Sequence, residues 1–251
     1  MKRIIVCVFL ALMLCGCHSG DSFMSAEPSS TPPSIPACPT PTPTPHTSYF
    51  HSGFPVEDVI IYFNEVVLDA EFVNGGDPER VQKWASPIYY RLHGNVTEED
   101  LRVIESFTSY LNSIYGFPGI YEAEFDYDVN LDIHFTTAER LVELMGDQYY
   151  GMDGAVTFWY ENDMIYDATI CIRSDMDQYL RNSVILEEIY NGLGPVQDTS
   201  LRTDSIIYSE FSQPQDLTDM DRLILELLYH PDIVCGMNAA ECESVIRSLY
   251  Y

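Results

Sequence analysis

Two periodicities alternate along the second half of this chain. From Val129 to Phe135 the residues Val129, Leu131, Ile133 and Phe135 fall on every second position, the pattern of a half-buried strand. Upstream, Leu101, Ile104, Phe107, Leu111 and Ile114 recur at helical spacing. Thr97-Glu98-Glu99-Asp100 supplies an N-cap and first-turn acids, and Gly116 a stop. Pro87 to Gly94 predicts a strand, and Thr136 or Thr137 caps a helix running through Leu144 to Gly146. Ala155–Tyr160 and Met164–Ile172 predict a hairpin turning at Glu161-Asn162-Asp163. Asp177 to Gly192 predicts a long helix. Another opens at Thr218-Asp219-Met220-Asp221 and ends at Pro231, and a last one spans Asn238 to Leu249. Earlier in the chain, Val56 to Val73 is rich in β-branched and aromatic residues and predicts strand segments around Ile60, Tyr62, Val66 and Leu68. A turn at Gly75-Gly76-Asp77-Pro78 and a short helical piece from Glu79 to Ala85 follow. The sum is an α+β domain, a mixed sheet packed by three or four helices.

The ends read differently. Lys2 and Arg3 precede an apolar run from Ile4 to Leu14, and Leu14-Cys15-Gly16-Cys17 resembles a lipobox. Residues 1–17 are therefore expected to be a lipoprotein signal peptide, with Cys17 the lipid-attachment residue. The run is short for a bilayer span. Residues 18–48 hold most of the prolines, ending in Pro39-Thr40-Pro41-Thr42-Pro43-Thr44-Pro45, with almost nothing large and apolar to bury. That composition predicts a disordered Pro/Thr/Ser-rich stalk. In polyproline II, at about 3.1 Å per residue, Glu27 to His46 spans roughly 60 Å. Residues 50–251 remain as one domain with room for a sizeable core. The expected location is the cell membrane, lipid-anchored and facing the extracytoplasmic side.

Composition narrows the partners. The net charge is −27, and loss of Lys2 and Arg3 with the signal takes it to −29. Such a charge repels nucleic acid and anionic lipid headgroups. The membrane is then reached through the lipid on Cys17, and a peptide or envelope protein is the expected partner. Of seven cysteines only Cys171, Cys235 and Cys242 fall in the domain. Cys235 and Cys242, close in sequence in an exported chain, are the candidate disulfide.

The chemistry centres on Glu187-Glu188-Ile189-Tyr190-Asn191-Gly192-Leu193-Gly194. A zincin helix carries His-Glu-x-x-His, two imidazoles one turn apart on a zinc ion, often with a glycine three residues on. Here Glu187 and Asn191 stand in the histidine positions, Glu188 in the general-base position, and Gly194 in the glycine position. No catalytic group and no metal ligand is assigned on this pattern. Glu188 is the candidate general base; Glu187, Asn191 and Asp198 are candidate oxygen ligands, suited to calcium or another divalent cation rather than zinc. The plainer expectation is no cofactor, with Glu187 or Glu188 paired to Arg173, Arg181 or Arg202. Among the domain's histidines, His93, His134 and His230 show no metal-ligand spacing in sequence, and His230 ends a helix.

An ordered set of short matches carries a family resemblance. It begins with Trp84-Ala85-Ser86-Pro87-Ile88, Gly94, the Thr97–Asp100 helix start, and Leu111 through Gly116. It continues with Ile133-His134-Phe135, Ile165 through Ile170, Leu186 through Ile189, Leu193-Gly194 and Asp198. Ser205 through Tyr208, Leu217 through Arg222, Leu228 through Pro231, and Gly236-Met237 complete it. This set resembles the bacterial domain-of-unknown-function family 2927 over nearly all of residues 80–245. That family in turn looks like a degenerate relative of the zincin peptidases, sharing their upstream strand–helix–strand order and Glu-bearing helix. The resemblance implies a zincin-like mixed sheet around an emptied metal site. The expected role is non-catalytic binding or scaffolding at the cell envelope. The alternative is an active envelope hydrolase using Glu188 with a non-histidine metal site.

Overall fold

The structure is a computed structural model that describes residues 7–8, 53–68, 80–210 and 213–250. The expected stalk, Cys17 and the Gly75–Pro78 turn lie outside the described residues.

The fold is mixed α/β. Its strands are β1 (Cys7–Val8), β2 (Lys83–Trp84), β3 (Ile88–Gly94), β4 (Ile120–Glu122), β5 (Leu131–Thr136), β6 (Gly154–Glu161) and β7 (Met164–Arg173). Its helices are α1 (Val56–Phe63), α2 (Glu98–Leu111), α3 (Ala138–Met145), α4 (Gln178–Gly192), α5 (Asp219–Leu228) and α6 (Ala239–Tyr250). The sheet runs β1-β6-β7-β5-β3-β4, with β2 beside the start of β7. All pairings are parallel except β6–β7, the hairpin turned by Asn162 and Asp163 with positive φ. Each parallel crossover carries a helix or a long loop, as parallel strands require.

Alternation along the strands sorts the sheet into two faces. Leu131, Ile133 and Phe135 of β5, Ala168, Ile170 and Ile172 of β7, and Val156 and Phe158 of β6 point into the main core, where α4 packs on β6 and β7 and α2 packs on α4. The opposite face is only partly covered. There α3 lays Leu141 and Met145 over Ala155 and Cys171, with Tyr149 and Met152 completing a small second core. α3 reaches β6 and β7, and the same face of β3 and β5 is half-exposed.

Two sequence expectations are corrected. Residues 56–63 form helix α1, continued by a π-helical turn over Asn64–Leu68, not strands. Val56, Val59, Ile60 and Phe63 are buried while Glu57, Asp58 and Ile61 are exposed, so the helical period outweighs β-branched composition. Residues 83–84 are extended rather than helical. Val81 exchanges backbone hydrogen bonds with Met237 and Gly236, and the indole Nε1 of buried Trp84 donates to the Gly192 carbonyl at 2.9 Å, tertiary bonds that a local helical turn would forgo. The other predicted elements form at the expected places. Thr97 and Thr218 both build capping boxes, with Asp100 and Asp221 at the third helical position.

Candidate functional site

Helix α4 begins where the Asp177 side chain accepts the Tyr179 N–H at 2.9 Å. It runs between the sheet and α2, so it is buried on most of its circumference. Glu188 is 1 % exposed and lies against the sheet at the start of β6. A Cβ on Gly154 would meet Glu188 Oε1 and Val184 Cγ1, each at 2.5 Å, so the glycine makes the room that the carboxylate fills. The buried Cys171 thiol is pushed up to about 12, first by desolvation and next by the charge of Glu188. Asn191 is also 1 % exposed, and its Oδ1 has no hydrogen-bond partner among the described residues. Glu187 and Asp198 are half-buried. Just after α4, Gly194 has φ +127°, and a Cβ there would stand 2.4 Å from the Gln82 carbonyl oxygen. A left-handed turn and a close backbone approach both require glycine at that position.

Glu187, Glu188 and Asp198 form no cluster of three ligand groups among the described residues. The arginines expected to pair with the α4 acids have other partners. Arg181 meets Asp100 in a buried ion pair at 2.9 Å, Arg173 meets Asp153 and Asp175, and Arg202 meets Asp204.

The expected Cys235–Cys242 bridge does not form; both are free thiols. Cys242 is buried on α6, whereas the Cys235 Sγ lies 3.7 Å from the Lys83 carbonyl oxygen, as donor to it. The Lys83 side chain is buried nearby, and its Nζ donates to the carbonyls of Leu228 and Ile233 at 2.7 and 2.5 Å. Burial lowers this ammonium to about 8. His230 is buried, and its Nδ1 lies 3.2 Å from the Asp232 backbone nitrogen and 3.8 Å from the Asp232 carboxylate.

The structure brings together three residues that sequence spacing kept apart. β3 and β5 pair in parallel with His93 opposite His134, so the two imidazoles stack at 4.5 Å between centroids and 14° between planes. Asp132, two residues before His134 on the same face, reaches His93 Nε2 at 2.6 Å. One ligand atom from each of His93, Asp132 and His134 lies within 4.8 Å of the others. All three are half-exposed, on the part of the sheet that α3 leaves open. His134 is held below the usual histidine range by desolvation and by His93. Asp167, on the same face of β7, is raised to about 6 by burial and by Asp132. The sequence signal for this cluster was a histidine at a polar position in each of two strands. The register that joins them is a tertiary property.

The described residues also enclose cavities. One of about 320 Å³ lies between α2 and α5, with Phe107, Tyr110 and Leu217 among its lining and Arg222 at its rim. One of about 200 Å³ lies by Trp84, Asn130 and Tyr166. Neither is lined by Glu187, Glu188, Asn191 or Asp198. Among protein families, the model described as a protein of unknown function, DUF2927, matches residues 57–248. No curated protein matches the chain.

Proposed function

The chain belongs to the DUF2927 family, and from that membership we propose that it is a membrane-anchored cell-envelope lipoprotein whose degenerate, zincin-like domain binds extended peptide without cleaving it. The anchor is the lipid on Cys17, and the stalk of residues 18–48 holds the domain away from the membrane on the extracytoplasmic side. The order β3–α2–β4–β5 ahead of the Glu-bearing helix α4 supports the zincin-like reading, as do Glu187 and Asn191 in the two histidine positions. The buried state of Glu188 speaks against a water-activating base at the surface.

One observation carries the peptide-binding role. β6 borders the sheet beside β7, and its outer edge accepts a short extended segment, Cys7–Val8, in parallel register with Thr157 and Phe158. Those two residues belong to the stretch that signal cleavage removes. In the mature protein the edge would then be open to strand addition, where backbone hydrogen bonds supply affinity. The negative surface favours cationic peptides.

Fluorescence polarisation with labelled, lysine-containing extended peptides tests this reading, alongside the same peptides N-methylated on alternate residues. Binding that is lost on N-methylation, with the unmodified peptides recovered intact, is the expected result. Peptide hydrolysis that disappears in Glu188→Gln would instead establish the hydrolase. The anchor is read separately: Cys17→Ala moves the protein from the membrane fraction to the soluble one.

A further inference from the structure

We propose that His93, Asp132 and His134 hold one divalent transition-metal ion of the zinc class, at a site separate from helix α4. The chemistry of the donor set comes first. Two imidazoles and one carboxylate are borderline ligands that suit zinc, iron, cobalt or nickel, and three protein ligands leave a further position for water. Calcium and magnesium prefer all-oxygen shells, so the set discriminates against the cations proposed for the α4 acids.

The geometry then decides that the three act together. They come from adjacent parallel strands held in register by the β3–β5 ladder, which extends from Tyr90–Leu131 to Gly94–Phe135. His93 and His134 are directly opposite, and Asp132 is diagonal to His93. Their ligand atoms lie within 4.8 Å of one another. A tetrahedral ion with bonds of about 2.1 Å needs its ligand atoms roughly 3.4 Å apart. The side chains therefore need small rotations and no movement of the sheet. The 2.6 Å contact between His93 and Asp132 opens, and His93 carries its proton on the other ring nitrogen.

The surroundings favour a cation. Two arginines of the surrounding elements each carry an acidic partner: Arg140 of α3 pairs with Glu143 at 2.8 Å, and Arg91 of β3 pairs with Asp126. Asp167 adds a carboxylate on the neighbouring strand, within electrostatic reach of Asp132. Partial exposure gives the ion a path in, and α3 stops short of covering it.

Cobalt(II) and zinc(II) titrations of the full chain, first stripped with chelator, test the site. The expected result is one ion per chain, with a visible cobalt d–d spectrum of low-coordinate form that zinc displaces. His93→Gln and His134→Gln each weaken zinc binding by about 100-fold or more, since even outer-shell partners are worth about 10–100-fold. Asp132→Asn weakens it as well. Because the three side chains are half-exposed, these variants should fold, and circular dichroism melting without metal checks that they do. Zinc should raise the melting temperature of the parent and not of the histidine variants. A cobalt spectrum of the free aquo ion, or stoichiometric binding that survives both histidine substitutions in folded protein, overturns the proposal.

Discussion

Replacing Gly154 by alanine puts a methyl group 2.5 Å from both Glu188 Oε1 and Val184 Cγ1. The backbone of Gly154 is in a conformation open to any residue, so the cost is steric alone. Overpacking of this kind costs typically about 1–3 kcal/mol. Denaturant unfolding should show a loss of that size, and a smaller loss when the substitution is made in a Val184→Ala background, where one of the two obstacles is trimmed. Equal losses in both backgrounds would mean that the carboxylate alone sets the limit. Lys83 offers a second residue-level test. The unfolded chain keeps this ammonium protonated to about 10.5, while the folded protein releases the proton near 8. Between those values the unfolded state binds more protons, so stability rises with pH on account of this group. Buried thiols titrate with the opposite sign, since Cys242 is raised to about 11 and Cys171 to about 12. The measurement is therefore the difference between the parent and Lys83→Met. From about pH 7.5 to about pH 9.5 that difference should shift in favour of the parent; a flat difference would place the Lys83 proton where it sits in the unfolded chain.

At the scale of elements, two helix starts do more than cap. Asp100 returns the Thr97 N–H bond within its capping box and also accepts from Arg181 and Gln178 of α4, at 2.9 and 2.7 Å. Asp221 does the same for Thr218 and accepts from Ser205 and from the Ile206 N–H. Both carboxylates are fully buried. Thr97→Ala should cost about 1 kcal/mol, the ordinary value of a cap. Asp100→Ala should cost about 3–5 kcal/mol, because it leaves the buried Arg181 guanidinium without its anion. Thermal or denaturant unfolding of the two variants separates these values; near-equal losses would show that Arg181 finds another partner. These caps were legible in the sequence as Thr-x-x-Asp ahead of apolar periodicity. The alternation of β5 and the β6–β7 hairpin were equally plain, since each is a local pattern of side chains meeting one face. The N-terminal region was misread because Val56–Leu68 is β-branched yet spaced at the helical period, and spacing, not composition, decides which face is buried. β2 was hidden from the local pattern because its partners, Asp163 and the start of β7, and the Gly236 and Met237 partners of the preceding Val81, are remote in sequence. The His93–Asp132–His134 cluster escaped for the same reason: it exists only in the register of β3 on β5.

For the whole molecule, the balance of 12 basic against 39 acidic residues leaves a large excess of like charge. Several arginines are already committed, Arg173 to two aspartates and Arg247 to Glu57 and Glu243, so much of the acidic excess has no local counter-charge. Repulsion among solvent-exposed carboxylates acts across the surface and weakens the compact state. Its reach is set by salt, about 30 Å at 0.01 M and about 3 Å at 1 M. Exposed ion pairs such as Arg247 with Glu57 lose strength as salt rises, but each is worth little. The repulsion of the unpaired majority should therefore dominate. The melting temperature is expected to rise as sodium chloride increases from about 0.01 M to about 0.5 M, in chelator-treated protein so that metal binding does not contribute. The loss caused by Asp100→Ala should stay constant over the same range, because the Asp100–Arg181 pair is shielded from solvent ions. A melting temperature that falls with salt would mean that the surface ion pairs form a stabilising network despite the excess charge. Salt-sensitive stability paired with a salt-insensitive buried pair would place the electrostatic strain on the surface of the domain and its rigidity in the contact between α2 and α4.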